Sequence, residues 1–140
     1  MDYQVEIITD PILMEEQNKV LREGIISFNE PFLGSKPEKF SVYAKDNNRI
    51  IGGAIVYAHT KSIYIDVLWV DNNYRGSGIG ADLLNAVEKE ALKRSISEST
   101  LDTFSFQAEK FYLKQGYTHL GTIKDYIEGY DRIYLRKKLS

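Results

Sequence analysis

Seven consecutive residues, Arg75-Gly76-Ser77-Gly78-Ile79-Gly80-Ala81, carry the clearest chemical signal in the chain. They follow an apolar run of strand type, Tyr64 to Val70, and lead into Asp82-Leu83-Leu84, where apolar residues begin to recur at helical spacing. A strand, a glycine turn and a helix start in that order make a seat for an anion. The first N–H groups of a helix have no partner inside it, and the helix dipole adds partial positive charge beside them. Gly76, Gly78 and Gly80 let the backbone approach a bulky group without Cβ atoms in the way, and Arg75 adds a permanent cation. A phosphate-bearing molecule is therefore expected at this turn. A second chemical residue is Asp66, a lone carboxylate in a strand otherwise apolar on both faces. A charge there is costly unless solvated or partnered, so Asp66 is expected to face a cleft, as a base, or to serve in a structural ion pair.

The elements that position these residues follow from pattern and turn chemistry. Tyr3 to Ile8 alternates weakly and predicts a short strand. Thr9-Asp10-Pro11 supplies a cap and a proline for the first helical turn, and Leu13, Val20, Leu21, Ile25 and Phe28 then share a face that should lie on a sheet. A Pro/Gly loop is predicted from Asn29 to Lys39, with Phe32 and Leu33 as either a satellite of the core or a lid. Phe40 to Lys45 and Ile50 to His59 form a hairpin across Asp46-Asn47-Asn48, with Gly52 and Gly53 marking a bulge or a close backbone approach. The strand Ile63 to Val70 has Ile63, Ile65, Val67 and Trp69 on one face, and its two apolar faces make it central. The helix from about Gly78 to Arg94 turns Ile79, Leu83, Leu84, Val87, Ala91 and Leu92 inward. Thr100 to Phe106 then returns as a parallel strand, as a βαβ crossover requires. A short helix, Gln107 to Gln115, stops at Gly116, and Tyr117 to Ile123 and Tyr130 to Leu139 are two further strands joined by Lys124 to Gly129.

Composition narrows the function. One domain spanning residues 1–140 is expected, because 140 residues, 43% of them hydrophobic, suffice for one core. A net charge of −2 argues against nucleic-acid binding by bulk charge. The absence of cysteine excludes disulfides, thiolate metal sites and a cysteine nucleophile, and His59 and His119 are too few and too far apart for a histidine metal site. No metal is expected. The first residues lack a basic and apolar leader, and no apolar run reaches membrane-spanning length, so a soluble cytoplasmic protein is expected, without a membrane partner.

Three glycine loops compete for the phosphate. A Walker loop needs Gly-Lys-Ser/Thr where this chain has Gly-Ala-Asp. Gly76-Ser-Gly78-Ile-Gly-Ala81 satisfies the dinucleotide fingerprint, with Asp102 near its acidic position, but only about sixty residues follow it and a meander precedes it. The third reading covers more of the chain. Arg75-Gly-Ser-Gly78-Ile-Gly80 resembles R/Q-x-x-G-x-G/A, the pyrophosphate loop of the GNAT superfamily of acyl-CoA-dependent N-acyltransferases. Ala108-Glu-Lys-Phe111-Tyr112-Leu-Lys114-Gln-Gly116-Tyr117 is similar to that family's A-x-x-F-Y-x-K-x-G-F/Y segment, at the expected distance.

The resemblance implies an α/β fold with a mixed sheet: an antiparallel meander, a βαβ crossover, and a central splay between the Tyr64 and Thr100 strands, flanked by helices. Acetyl-CoA lies in the splay as co-substrate. Its pantetheine arm runs along Leu68, Trp69 and Val70, and its diphosphate sits on the amides of Arg75, Gly76, Ser77, Gly78, Ile79, Gly80 and Ala81. Tyr112 becomes the general acid that protonates the departing thiolate, and Asp66 occupies a position where some relatives carry an acidic residue. Many relatives have asparagine at the position of Ser105, so the arm contact there is expected from Ser105 or from Gln107. The activity implied is acetyl transfer to a primary amine of a small molecule or peptide within a ternary complex. A non-catalytic acyl-CoA sensor is the alternative, and a homodimer is in keeping with the family's habits. Acidic Glu30, Glu38, Asp125 and Glu128 in the expected substrate loops suit a cationic amine.

Overall fold

The computed structural model describes all residues 1–140, in two compact units, residues 1–36 and 37–140. In the first unit, residues 1–10 form no strand. The alternation of Tyr3, Val5 and Ile7 gives them one apolar side, but a strand is held by a ladder, and six alternating residues do not make one alone. Helix α1 spans Pro11–Leu33, with Pro11 at its first position and the Asp10 carboxylate accepting from the Leu13 N–H at 2.9 Å. It overruns the expected loop by five residues. Pro31 stands near its end, where the lost N–H bond costs least. The helix stops at Gly34, whose left-handed backbone (φ 81°) turns its N–H back to the Glu30 carbonyl at 2.9 Å. Phe32 and Leu33 thus belong to the last turn, and Phe32 meets Phe28 one turn earlier, ring centroids 6.0 Å apart.

The second unit is built on six strands: β1 Glu38–Asp46, β2 Arg49–Ala58, β3 Ser62–Val70, β4 Glu98–Phe104, β5 Thr118–Ile127 and β6 Tyr130–Lys138. Helix α2, Ile79–Lys93, connects β3 to β4, and the short α3, Glu109–Lys114, precedes β5. The sheet order is β1-β2-β3-β4-β6-β5; only β3 and β4 run parallel. This is the mixed sheet with a single crossover that the pattern predicts. Asn47 and Asn48 both adopt positive φ (48° and 71°) in a two-residue hairpin turn that matches the strand twist. Gly52 and Gly53 sit where strands crowd: a Cβ on Gly52 would lie 2.9 Å from the Trp69 carbonyl oxygen, and one on Gly53 2.7 Å from that of Val42. The β5–β6 hairpin closes on Glu128 and Gly129, so β5 runs four residues past the expected Ile123, with an irregular register there.

Two features of β3 shape the rest. Ile55 faces Val67 while Val56 faces Ile65, so Asp66 is an extra residue without a partner on β2, a β-bulge. The bulge inverts the side-chain phase. Ile63 and Ile65 are buried, but beyond Asp66 it is Leu68 that packs on the core, while Val67 and Trp69 are 40% and 45% exposed. The expected apolar face Ile63-Ile65-Val67-Trp69 is therefore split between the two sides of the sheet. The parallel ladder to β4 runs from Ser62↔Glu98 to Ile65↔Leu101 and stops at the same bulge. From there β3 and β4 separate.

The core lies between the sheet and α2: Ala54, Val56, Ile63 and Ile65 meet Leu84, Val87 and Ala91, with Leu101, Ile133 and Leu135 beneath. Leu92, expected inward, is 43% exposed, because α2 turns it past the edge of the buried stripe. Arg94 pairs with Glu90 one turn back, 2.8 Å, as the i,i+4 spacing predicts. No helix is long and apolar enough to cross a membrane. The strand crowding at Gly53 gives a stability test. Gly53→Ala is expected to destabilise by about 1–3 kcal/mol through overpacking. Gly121→Ala, with nothing within 4 Å of the new Cβ, should stay within about 0.5 kcal/mol. Urea midpoints at unchanged m-value measure both, and equal midpoints would remove the steric argument.

Candidate active site

The separation of β3 from β4 opens a cleft of about 610 Å³. One wall is the end of β3, Leu68 to Val70; the mouth is the loop from Tyr74 to Gly78; the start of α2 closes the top, and Phe106, Gln107, Ala108, Phe111 and Tyr112 form the other wall. The Asp71 N–H donates to Ile51 of β2, so by the alternation of strand backbone Leu68 and Val70 turn their N–H and C=O groups to the open side.

The glycine loop is tied down on all sides. Arg75 Nε donates to the Val70 carbonyl at 3.0 Å, Ser77 Oγ to the Tyr74 carbonyl at 2.6 Å, and the Tyr74 hydroxyl to Asp46 at 2.6 Å. Asp71 accepts from the Asn73 N–H and from Arg49. Gly76 and Gly78 hold positive φ, 80° and 89°, which a side chain at either position would strain. Gly78 caps α2 without any side-chain bond to its first N–H groups, and Ile79, Gly80 and Ala81 of that first turn line the cleft. The donors of a fifteen-residue helix thus open onto the cavity, with the positive end of its dipole behind them. Gly80 has ordinary helical φ and a different use: a Cβ there would lie 3.4 Å from Phe111 Cζ and 3.9 Å from Val70 Cγ2, so it is the contact between α2, α3 and the end of β3.

Tyr112 stands on α3 with only 6% of its surface exposed. Its hydroxyl has no partner in the protein, yet no buried side-chain oxygen or nitrogen lacks one, so the hydroxyl faces the open cleft. Burial, and then the negative charge of Asp102, push its pKa up to about 12. Its ring is held edge-on by Phe111 and Tyr117, centroids 5.2 and 5.8 Å away. Tyr117 in turn shares a hydrogen bond with Ser99 (2.7 Å) and donates to Glu88 (3.1 Å), and Lys137 joins Glu88 to the Gln115 carbonyl, both at 2.8 Å. This buried group anchors the C-terminal end of α3.

Of the residues singled out from sequence, the cleft brings together Leu68, Trp69, Val70, Arg75, Gly76, Gly78, Ile79, Gly80, Ala81, Gln107 and Tyr112. Ser77, Ser105 and Asp66 lie outside its lining. Ser77 braces the turn from behind. Ser105 exchanges two bonds with Asp131, its N–H donating to the carbonyl and its Oγ accepting from the N–H, and so straps β4 to β6. The Gln107 side-chain oxygen, Oε1, accepts from the Phe104 N–H at 2.7 Å and from Thr103 Oγ1 at 3.1 Å, which commits that oxygen to the end of β4. Asp66 is exposed at the bulge with no hydrogen bond or ion pair. Asp102, the acidic position of the dinucleotide fingerprint, is held at both oxygens, by Tyr64 and by Arg132 Nε. Four lining residues escaped the sequence reading: Tyr74, Phe106, Ala108 and Phe111. Ala108 and Phe111 belong to the segment that carries Tyr112 and lie near it on the same wall. Nothing in the local pattern singles out Phe106.

The sequence model of the Acetyltransferase (GNAT) family matches residues 6–117. The blasticidin-S acetyltransferase of Streptomyces morookaense is 31% identical over 112 residues, 78% of this chain and 82% of that protein. Among solved structures, a protein of Agrobacterium tumefaciens described as an acetyltransferase is 26% identical with a TM-score of 0.84, covering 99% of both chains. An aminoglycoside 6'-N-acetyltransferase complexed with coenzyme A shares the fold at 19% identity, TM-score 0.66, covering 94% of this chain and 93% of that one. With the family match running through both the glycine loop and the Tyr112 segment, the chain belongs to the GNAT acetyltransferase family.

Proposed function

We propose that residues 1–140 act as one domain that transfers the acetyl group of acetyl-CoA to a primary amine by direct attack in a ternary complex. The observation that carries this reading is the meeting of two groups in one cleft: an uncapped helix start edged by Arg75, and a tyrosine hydroxyl without a protein partner. The diphosphate lies on the amides of residues 75–81, where charge-assisted bonds to a dianion are stronger than neutral ones. The pantetheine arm follows the edge of β3 that β4 leaves unpaired, at Leu68 and the Val70 N–H, the Val70 carbonyl being held by Arg75. That an aminoglycoside acetyltransferase of the same fold is complexed with coenzyme A supports coenzyme A as the ligand.

The chemistry needs the nitrogen to lose two protons and the departing sulfur to gain one. A lysine-like amine is mostly protonated at pH 7, and stripping its proton costs about 4–5 kcal/mol. Asp66, unpartnered at the bulge where the cleft begins, takes this proton through water. The amine nitrogen then adds to the thioester carbon, the C–S bond breaks, the sulfur leaves as a thiolate that takes the Tyr112 proton, and the nitrogen's second proton passes through water back to the Tyr112 phenolate, leaving a neutral amide. A phenol held at about 12 stays protonated throughout the working range, so the acid is always armed. Ser105 and the Gln107 side-chain oxygen fix the end of β4, and Gln107 also lines the cleft that takes the cofactor arm.

Tyr112→Phe should lower kcat by one to three orders of magnitude while acetyl-CoA binding, read by calorimetry, changes less than threefold. In the parent enzyme kcat should show no falling limb below about pH 11; a limb near pH 9 would remove Tyr112 from the acid role. Asp66→Asn should cost about tenfold in kcat/KM at pH 7, narrowing as pH nears the pKa of the amine; a pH-independent loss points to structure alone. Gly78→Ala, forced to φ 89°, should weaken acetyl-CoA at least about tenfold. Unchanged affinity there would place the diphosphate elsewhere.

A further inference from the structure

A group of aromatic side chains adjoins the cleft and takes no part in the steps above. Phe104, at the end of β4, stacks on Phe106 with centroids 5.3 Å apart and planes 7° from parallel. Tyr126 of β5 meets Phe104 at 6.0 Å, and Tyr130, the first residue of β6, meets Phe106 edge-on at 4.8 Å. Phe106 is itself part of the cleft wall, so the patch and the cavity are continuous. Phe106, Tyr126 and Tyr130 keep 56%, 42% and 45% of their surface exposed. Contiguous bare aromatic surface is costly in water, and beside a reactive cleft it is the surface a second substrate would cover.

The charges around the patch limit what that substrate carries. Of the four acidic residues that suit a cationic amine in sequence, Glu38 and Asp125 make side-chain bonds in the structure and Glu30 and Glu128 make none. Asp125 accepts from the Gly129 N–H at 2.7 Å, Asp131 accepts from the Asp125 N–H at 3.0 Å, and Glu38 pairs with Arg94 at 3.3 Å. Arg132 lies over Tyr126, its guanidinium 5.1 Å from the ring centroid, and donates to the Tyr126 hydroxyl at 3.0 Å while pairing with Asp102. With that guanidinium paired to Asp102 the patch brings no net charge of its own, so ring contact decides what settles on it. Asp66, also unpaired, is exposed at the fork where β3 leaves β4, outside the cleft lining, enough for one ammonium.

We infer that Phe104, Phe106, Tyr126 and Tyr130 form the acceptor subsite, and that it selects a primary monoamine carried on a flat conjugated body over linear aliphatic amines and polyamines. Offset and edge-on ring contacts favour such a body beyond its area alone. This inference rests on the acetyl-transfer reading, and its test separates the two. Phenethylamine, hexylamine and spermidine are compared by thiol release from acetyl-CoA and, independently of turnover, by calorimetry on the protein saturated with coenzyme A. The parent protein should favour phenethylamine over both others at least tenfold in kcat/KM. Tyr126→Leu and Tyr130→Leu, made singly and checked for native circular dichroism, should each shrink that preference to threefold or less with acetyl-CoA affinity unchanged. Turnover that prefers hexylamine or spermidine, or a preference that survives in both variants, overturns the subsite and leaves the transfer reading standing. Phenethylamine binding that is lost in the variants, without thiol release from any amine, upholds the subsite and overturns the transfer reading. If no amine binds or reacts, both fall.

Discussion

The break in the ladder between β3 and β4 is the constraint on which the site depends. Two parallel strands that stayed paired would leave no room between them, and the peptide groups of Leu68 to Val70 would be spent on β4. The pairing ends at Ile65↔Leu101, and the next residue, Asp66, is the one that β2 leaves unmatched. A bulge adds local twist and turns the rest of its strand. Here one extra residue does three things: it carries β3 away from β4, it swings Leu68 to the core side in place of Val67, and it puts a carboxylate at the fork. β4 meanwhile stays paired with β6 along its whole length, Glu98↔Lys138 to Phe104↔Arg132, so the second wall of the cleft is held from behind.

Given the fork, the helix that follows β3 begins at its open end. The loop between them has little freedom left, since Arg75, Ser77, Tyr74 and Asp71 each anchor it to a neighbour. An anion that arrives there meets N–H donors already in place, and the ordering cost has been met in folding. The Arg75 bond to the Val70 carbonyl also joins the loop to the strand end, so the anion seat and the edge that faces the cleft move as one body.

Much of this is legible in the amino-acid sequence, and the reasons for the rest are physical. Glycines at 76 and 78, a strand before them and helical spacing after them predict the loop, because positive φ and uncapped N–H groups are local properties. Asn47-Asn48 predicts its hairpin for the same reason. The bulge at Asp66 is not local: it exists only in the register between β3 and β2, so strict alternation places Val67 and Trp69 on the wrong side. Gly34 and Pro31 compete to end α1, and the residue that can form the left-handed cap prevails over the one that merely lacks an N–H. Ser105 and Gln107 read as cofactor contacts by position; in the structure Ser105 bonds Asp131 and the Gln107 side-chain oxygen bonds the end of β4, while Gln107 also lines the cleft. Phe106 has no periodicity to betray it; its importance comes from where β4 stops.

The environment of Tyr112 ties these parts together. For the acid role proposed for Tyr112, a phenol is best kept neutral until a thiolate forms, and burial favours this by penalising the tyrosinate. Burial alone would leave the ring free to tilt. The edge-on contacts with Phe111 and Tyr117 remove that freedom, and Tyr117 is fastened through Ser99 and Glu88 to β4 and α2. The second influence on the hydroxyl is the charge of Asp102, on the strand that diverges from β3. Asp102 is partly neutralised by Arg132, and Arg132 also holds Tyr126 of the aromatic patch. A molecule that settles on Tyr126 and displaces Arg132 would expose the full charge of Asp102 to Tyr112 and make the acid weaker. One that stacks and leaves Arg132 in place keeps the donor as it is. In the proposed mechanism, then, a molecule on the patch would reach the Tyr112 hydroxyl only through the Asp102–Arg132 pair.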